Sequence, residues 1–122
     1  ISKAKELKGL SLKPIAENKN LDSWRDYLVI SNHMVQGSSL KPNNEIPKPK
    51  GRMVRTENFK YSVYDLGKHR ESLIDMENDP HELKNLSRNP EYVNVLKKHQ
   101  LKLKEYAEEV GDFEALEILN HK

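Results

Sequence analysis

Glu71-Ser72-Leu73-Ile74-Asp75-Met76-Glu77-Asn78-Asp79-Pro80-His81-Glu82-Leu83-Lys84-Asn85-Leu86 is the stretch on which the fold reading turns. Leu73, Ile74 and Met76 make a short apolar strand that runs into an acidic, turn-rich segment. Asp79 then suits a helix N-cap, because Pro80 follows at the first helical position, where a missing N–H costs nothing. Glu82 stands three residues after Asp79, the capping-box spacing. Leu83 and Leu86 fall one turn apart, so a single helical turn is expected to press both onto one surface. The stretch predicts a strand, a hard corner and a clamped helical turn.

Working upstream, Arg52–Thr56 and Phe59–Tyr64 read as two more strands around the tight Glu57-Asn58 turn. In the second, Phe59, Tyr61 and Val63 share one face, and Lys60, Ser62 and Tyr64 the other. Tyr27-Leu28-Val29-Ile30-Ser31 is an almost continuous β-favouring apolar run, which predicts a central strand covered on both faces. Between them, residues 37–51 carry so many Gly, Pro, Ser and Asn that only a long loop is expected, with Lys48-Pro49-Lys50 extended and exposed. Residues 1–24 read as a strap: Leu7, Leu10, Leu12 and Ile15 offer apolar side chains, while Gly9 and Pro14 block a long helix. A short extended piece is expected at Leu10–Leu12, a loop at Asn18–Asn20 and a helical turn over Leu21–Asp26 that anchors Trp24.

Downstream, Asn89 caps a long helix. Tyr92, Leu96, Leu103, Tyr106 and Val110 form its apolar stripe, Val93 and Ala107 widen it, and Gly111 ends it in the left-handed conformation. Lys97, Lys98, Lys102 and Lys104 fall on its flanks and solvent side, and Phe113–Leu119 can add one more amphipathic turn of helix. The fold class is α+β: a small four-stranded antiparallel sheet packed against a long C-terminal helix. The boundaries are a linker at 1–24, an α+β domain at 25–112 and a C-terminal tail at 113–122.

Composition limits the chemistry. In 122 residues, 35% apolar against 33% charged is hydrophilic for a self-contained fold, and fits a modest core or a part of something larger. With no cysteine, disulfides, thiolate metal sites and a cysteine nucleophile are excluded from this chain. No apolar run reaches the length of a membrane span. The charge is lopsided: residues 1–70 hold 14 Lys/Arg against 7 Asp/Glu, and residues 71–122 hold 7 against 12. A basic front half suits an anionic partner, although the cations are scattered as ordinary solvated charge is.

No catalytic pattern emerges. His33, His69, His81, His99 and His121 show no metal-binding spacing and read as unrelated surface histidines. No serine lies in a nucleophile-elbow context. The aromatics alternate as core does rather than mixing with basic clusters, which argues against nucleic acid. Asn85-Leu86-Ser87 spells a glycosylation sequon, but within the structural signature it reads as coincidence.

The run E-x-L-x-D-x-x-x-D-P-x-E-x-x-N-L resembles the signature near the C-terminus of type I, formylglycine-dependent sulfatases, arylsulfatase-like members of the alkaline-phosphatase-like superfamily. It departs in carrying Ile74 where the family form has an aromatic. Arg52-Met53-Val54-Arg55-Thr56 with Lys60-Tyr61 resembles the family's R-x-V-R-T and K-Y strands, and Gly9-Leu10-Ser11-Leu12-Lys13-Pro14 its linker into the small C-terminal domain. The resemblance implies a non-catalytic C-terminal domain whose partner is an N-terminal catalytic domain of the same protein. There a C/S-x-P-x-R motif gives formylglycine, and Asp/Asn side chains hold calcium; none of those motifs occurs here. It further implies a sulfated substrate, with a sulfated sugar as the candidate, a periplasmic or secreted parent enzyme, and a small domain whose loops border the substrate pocket. On this chain the candidate rim residues are His33, Asn32 and Arg52, beside the 37–51 loop; one of Arg52 and Arg55 is expected to face solvent and pair with Glu57. No metal ligand is assigned. Two alternatives stay open: a stand-alone α+β interaction module, and a glycan- or anion-binding accessory module.

Overall fold

The computed structural model describes residues 12–17, 25–33 and 48–121. Four strands, β1 (Tyr27–His33), β2 (Lys50–Thr56), β3 (Phe59–Tyr64) and β4 (Glu71–Asp75), form one antiparallel sheet in the order β1-β2-β3-β4. A short α1 (Lys13–Ala16) precedes them. After the sheet, a 3₁₀ turn over Pro90–Tyr92 leads into α2 (Val93–Val110), followed by α3 (Phe113–Asn120). The chain is therefore an α+β domain with a meander sheet and C-terminal helices.

Alternation along the strands decides which face is covered. Tyr27 and Val29 of β1, Val54 of β2, Tyr61 and Val63 of β3 and Leu73 of β4 all contribute to the core under α2 and α3. The helices supply Leu103, Ala107, Ala115 and Ile118 to the same core. Each large apolar side chain fully withdrawn from water favours this packing by roughly 1.5–3 kcal/mol before entropy is counted. Asn89 caps the 3₁₀ turn by accepting from the Glu91 amide, and Gly111 ends α2 at φ 73°, the left-handed conformation that favours glycine. Phe113–Asn120, within the segment set apart above as a tail, form the eight-residue α3, which buries Ala115 and Ile118.

β1 is not central. It lies at the edge of the sheet, and Leu28 and Ile30, on the face away from the helices, are 44% and 47% exposed. An apolar run on both faces looks the same in sequence whether its second face is covered or open, which is why the central reading fails. β1 and β2 also reach further than expected: Asn32 and His33 pair with Gly51 and Lys50 inside the ladder, so the 37–51 loop closes sooner. Most of that loop lies outside the described residues, as do the Asn18–Asn20 loop and Trp24. Leu12 has right-handed helical rather than extended backbone angles and is the N-cap residue of α1.

The corner after β4 differs in kind from the expected helical turn. Asp75 folds back on its own chain, its carboxylate accepting from the Glu77 and Asn78 amides and the Asn78 side chain. Asp79 accepts from the Leu83 and Lys84 amides at 3.0 and 2.8 Å, so it closes a loop and caps no helix. Glu82 adopts φ 57°, which breaks any helical run, and throws Leu83 into solvent at 85% exposure. Only Leu86 reaches the core. Its amide donates to the Leu73 carbonyl, while the Leu73 amide donates to Asn85 Oδ1. Asn85 thus stands in for a strand residue on the open edge of β4, and its Nδ2 donates to the Glu71 carbonyl. An amide bonded at both ends fits the coincidental reading of the sequon.

Candidate functional site

At the end of the sheet where β1 meets β2, five charged or titratable side chains converge from three elements. Antiparallel register sets His33 opposite Lys50, and strand alternation turns Arg52 toward the helices. Gly111 then reverses the chain so that Asp112 and Glu114, the N-cap and first turn of α3, arrive over the same spot.

Arg52 is the root of the cluster, 4% exposed. Its Nε donates to Asp112 Oδ2 at 2.7 Å and its Nη2 to Asp112 Oδ1 at 2.8 Å, the paired fork that guanidinium and carboxylate planes favour. Nη2 also donates to Glu114 Oε2 at 2.9 Å, and Nη1 to the Gly51 carbonyl at 2.9 Å. Four of its five N–H donors are thereby engaged within the domain. Asp112 meanwhile accepts from the Ala115 amide, so one carboxylate caps α3 and fastens it to β2.

Glu114 gathers the remaining cations. Lys50 Nζ lies 2.5 Å from its Oε1, and His33 Nε2 lies 2.8 Å from its Oε2. Hydrogen bonds from Lys50, His33 and Arg52, in that order, pull its pKa down to about 2, so it is ionised near neutrality. An ionised carboxylate only accepts, which places the His33 proton on Nε2. Nδ1 is then an acceptor when the ring is neutral and a donor when it is charged. The His33 side chain is 59% exposed, and Nδ1 has no partner among the described residues. Asn32 is half-buried beside it, opposite Gly51.

Of the three rim candidates, His33 and Arg52 share the partner Glu114, and Asn32 is the chain neighbour of His33. Arg55 lies on the other face of β2 and bonds the Glu57 carbonyl rather than its carboxylate. Asp112 and Glu114 escaped the sequence reading, although Gly111-Asp112 spells a helix stop followed by a new N-cap. His99 was misplaced there too: it is 3% exposed, with Nδ1 2.8 Å from the Val95 carbonyl and Nε2 3.0 Å from Thr56 Oγ1. A carbonyl only accepts, so Nδ1 carries the proton and the Thr56 hydroxyl donates to Nε2. Burial holds the His99 pKa below its ordinary value, and the ring stays neutral as part of the core.

A four-stranded antiparallel meander under C-terminal helices, with a self-paired charge cluster at one end of the sheet, defines the class as a small α+β domain. The family described as N-sulphoglucosamine sulphohydrolase, C-terminal, matches residues 1–109, and the chain belongs to it. It is 32% identical over 114 residues to a Delta 4,5-hexuronate-2-O-sulfatase of Bacteroides thetaiotaomicron, covering 93% of this chain and 22% of that protein. Among solved structures it is similar to a 2-O GAG sulfatase (32% identity, TM-score 0.73) and to a putative sulfatase from Bacteroides thetaiotaomicron (32% identity, TM-score 0.74). Each of these covers 92% of this chain and 22% of the solved one, so the chain spans about a fifth of the length of the relatives it matches.

Proposed function

We propose that this chain is the non-catalytic C-terminal part of a sulfuric ester hydrolase acting on a sulfated saccharide, and that it packs against the catalytic domain of the same polypeptide. The observation that carries the reading is its match, over nearly all its length, to a fifth of each sulfatase relative. The open face of β1 supports the packing: Leu28 and Ile30 are apolar side chains in want of a cover.

Calcium and formylglycine find no fitting residues here. The chain has no cysteine and no serine in a C/S-x-P-x-R motif, and among the described residues no group of three or more His, Asp or Glu could hold a metal. Both belong to the catalytic domain in this reading.

Asn32, His33 and Arg52 help to form the pocket rim. His33 and Asn32 meet the substrate, with Nδ1 of His33 accepting from a sugar hydroxyl or, when protonated, donating to a sulfate oxygen. Arg52 acts from below by fixing Glu114, which fixes the His33 ring. The test compares the longer protein with His33→Ala on a 2-O-sulfated unsaturated uronate and on a small aryl sulfate. The longer protein is expected to turn over the sulfated sugar, and this chain alone neither compound. His33→Ala is expected to lower kcat/KM on the sugar by about 5- to 150-fold more than on the aryl sulfate. Turnover by this chain alone, or equal losses on both substrates, overturns the corresponding assignment.

A further inference from the structure

At the far end of α3 from the Glu114 cluster lies a cleft of about 680 Å³. It is walled by the β3–β4 connection, the turn before the 3₁₀ segment, α2 and the C-terminal end of α3. Its charge is almost all of one sign. Lys68, Arg88, Lys97 and Lys104 line it together with His69 and His121, against a single carboxylate, Glu71. That carboxylate is already engaged, accepting from the Tyr61 hydroxyl at 2.6 Å and the Gln100 side chain at 2.7 Å.

The floor is also prepared for an anion. The C-terminal end of a helix presents bare carbonyls and a partial negative charge, which repel anions. Here Arg70 covers two of them: Nη2 donates to the Ile118 carbonyl at 2.7 Å and Nη1 to the His121 carbonyl, while Nε donates to the Tyr64 carbonyl of β3 at 2.7 Å. With those carbonyls neutralised, Lys68, Arg88 and Lys97 stand around the opening with no hydrogen-bond or ion-pair partner among the described residues. Lys104 has only a loose, exposed contact with Glu108 at 3.8 Å. Lys97 and Lys104 project from α2 on either side of Leu101, which is 53% exposed.

We infer that this cleft binds a sulfated, polyanionic saccharide at a point separate from the His33 rim. The cations match sulfate and carboxylate groups carried along a sugar chain, and Leu101 offers an apolar surface to the C–H face of a ring. No Phe, Tyr or Trp lines the cleft, so the large stacking platforms that single-stranded nucleic acid favours are missing from it. The choice of a sulfated saccharide over other polyanions rests on the proposed hydrolase reading.

The test is equilibrium binding of a heparin-derived octasaccharide to the full chain. It is run beside a desulfated octasaccharide, inorganic sulfate and a DNA oligonucleotide of equal charge. The octasaccharide is expected to bind in a salt-sensitive way. Lys68→Ala/Arg88→Ala/Lys97→Ala is expected to weaken it by about ten-fold or more. Lys84→Ala/Lys98→Ala, which removes two exposed cations that do not line the cleft, is expected to change it by less than about two-fold. Equal losses in the two variants overturn the site, and so does equal or tighter binding of DNA. Competition by inorganic sulfate at matched sulfate concentration means a simple anion site and overturns the saccharide assignment. Binding is read without turnover, so its failure leaves the hydrolase reading standing, and an inactive longer protein leaves the affinity of the cleft measurable.

Discussion

The phenol of Tyr61, with no exposed surface, donates a 2.6 Å hydrogen bond to Glu71 Oε1 and ties β3 to β4 beneath α2. Gln100 reaches down from α2 to the same oxygen. Burial, and then the carboxylate beside it, push the Tyr61 pKa far up, so the phenol stays a donor. Tyr61→Phe keeps the ring and removes one hydrogen bond to a charged acceptor. It is expected to cost about 1.5–3 kcal/mol, read as a lower midpoint in urea. An unchanged midpoint would show that Gln100 satisfies Glu71 alone.

Acid is expected to unfold the domain through the Arg52 cluster. The unfolded Glu114 carboxyl takes a proton near its ordinary value of 4.5, whereas the folded one resists until about 2. Asp112, held down by Arg52, behaves in the same direction. The unfolded chain therefore binds more protons in this window, and stability present above pH 4.5 falls away as the pH drops toward 2. His99 adds a loss of the same sign that begins below 6.5, because the buried ring resists the proton that the unfolded ring accepts. Urea midpoints measured against pH should fall less steeply below 4.5 for Glu114→Gln than for the unaltered chain. Parallel curves would remove Glu114 from the account.

Asp79→Ala takes away the acceptor of two backbone amides in the corner after β4. The corner is largely exposed, so water replaces part of what is lost. The expected cost is about 0.5–2 kcal/mol. Amide exchange should speed up at Leu83 and Lys84 first, and unchanged exchange there would count against the loop-closing role.

Gly51→Ala puts a methyl carbon 2.5 Å from Tyr64 Cδ1 across the β2–β3 ladder. The ring has to swing away, at an expected cost of about 1–3 kcal/mol. Gly51→Ala combined with Tyr64→Ser should recover most of that loss, and failure to recover it would place the strain in the backbone.

What the sequence disclosed follows from how local each signal is. Strand alternation at Phe59–Tyr64, the Asn89 cap and the Gly111 stop are written within a few residues; the first and last are found in place, and Asn89 caps the 3₁₀ turn that leads into α2 rather than α2 itself. The face occupied by Leu28 and Ile30 was not legible, because apolar character does not say what covers it. Arg52 and Asp112 stand 60 residues apart and carry no periodic trace of their pairing. The rim candidates could be nominated from the position of His33 after its strand, but the carboxylate that orients His33 comes from the opposite end of the chain. His99 was legible and overlooked: it falls three residues after Leu96 and four before Leu103, inside the apolar stripe.

The bond from α3 back to β2 also sets an order of events. A ribosome delivers β1 to β4 first, and at that stage Arg52 has no carboxylate to meet and the sheet lacks Ala115 and Ile118 above Val54 and Val63. The Arg52–Asp112 pair joins residues 60 apart, and such long-range closure is slow relative to helix or hairpin formation. The sheet must therefore wait, with only α2 to cover its apolar face, until Ile118 has emerged. Folding of this domain is completed by α3, and a nascent chain halted before residue 112 would present the part of that face that Ala115 and Ile118 cover to whatever chaperone or neighbouring chain is nearest.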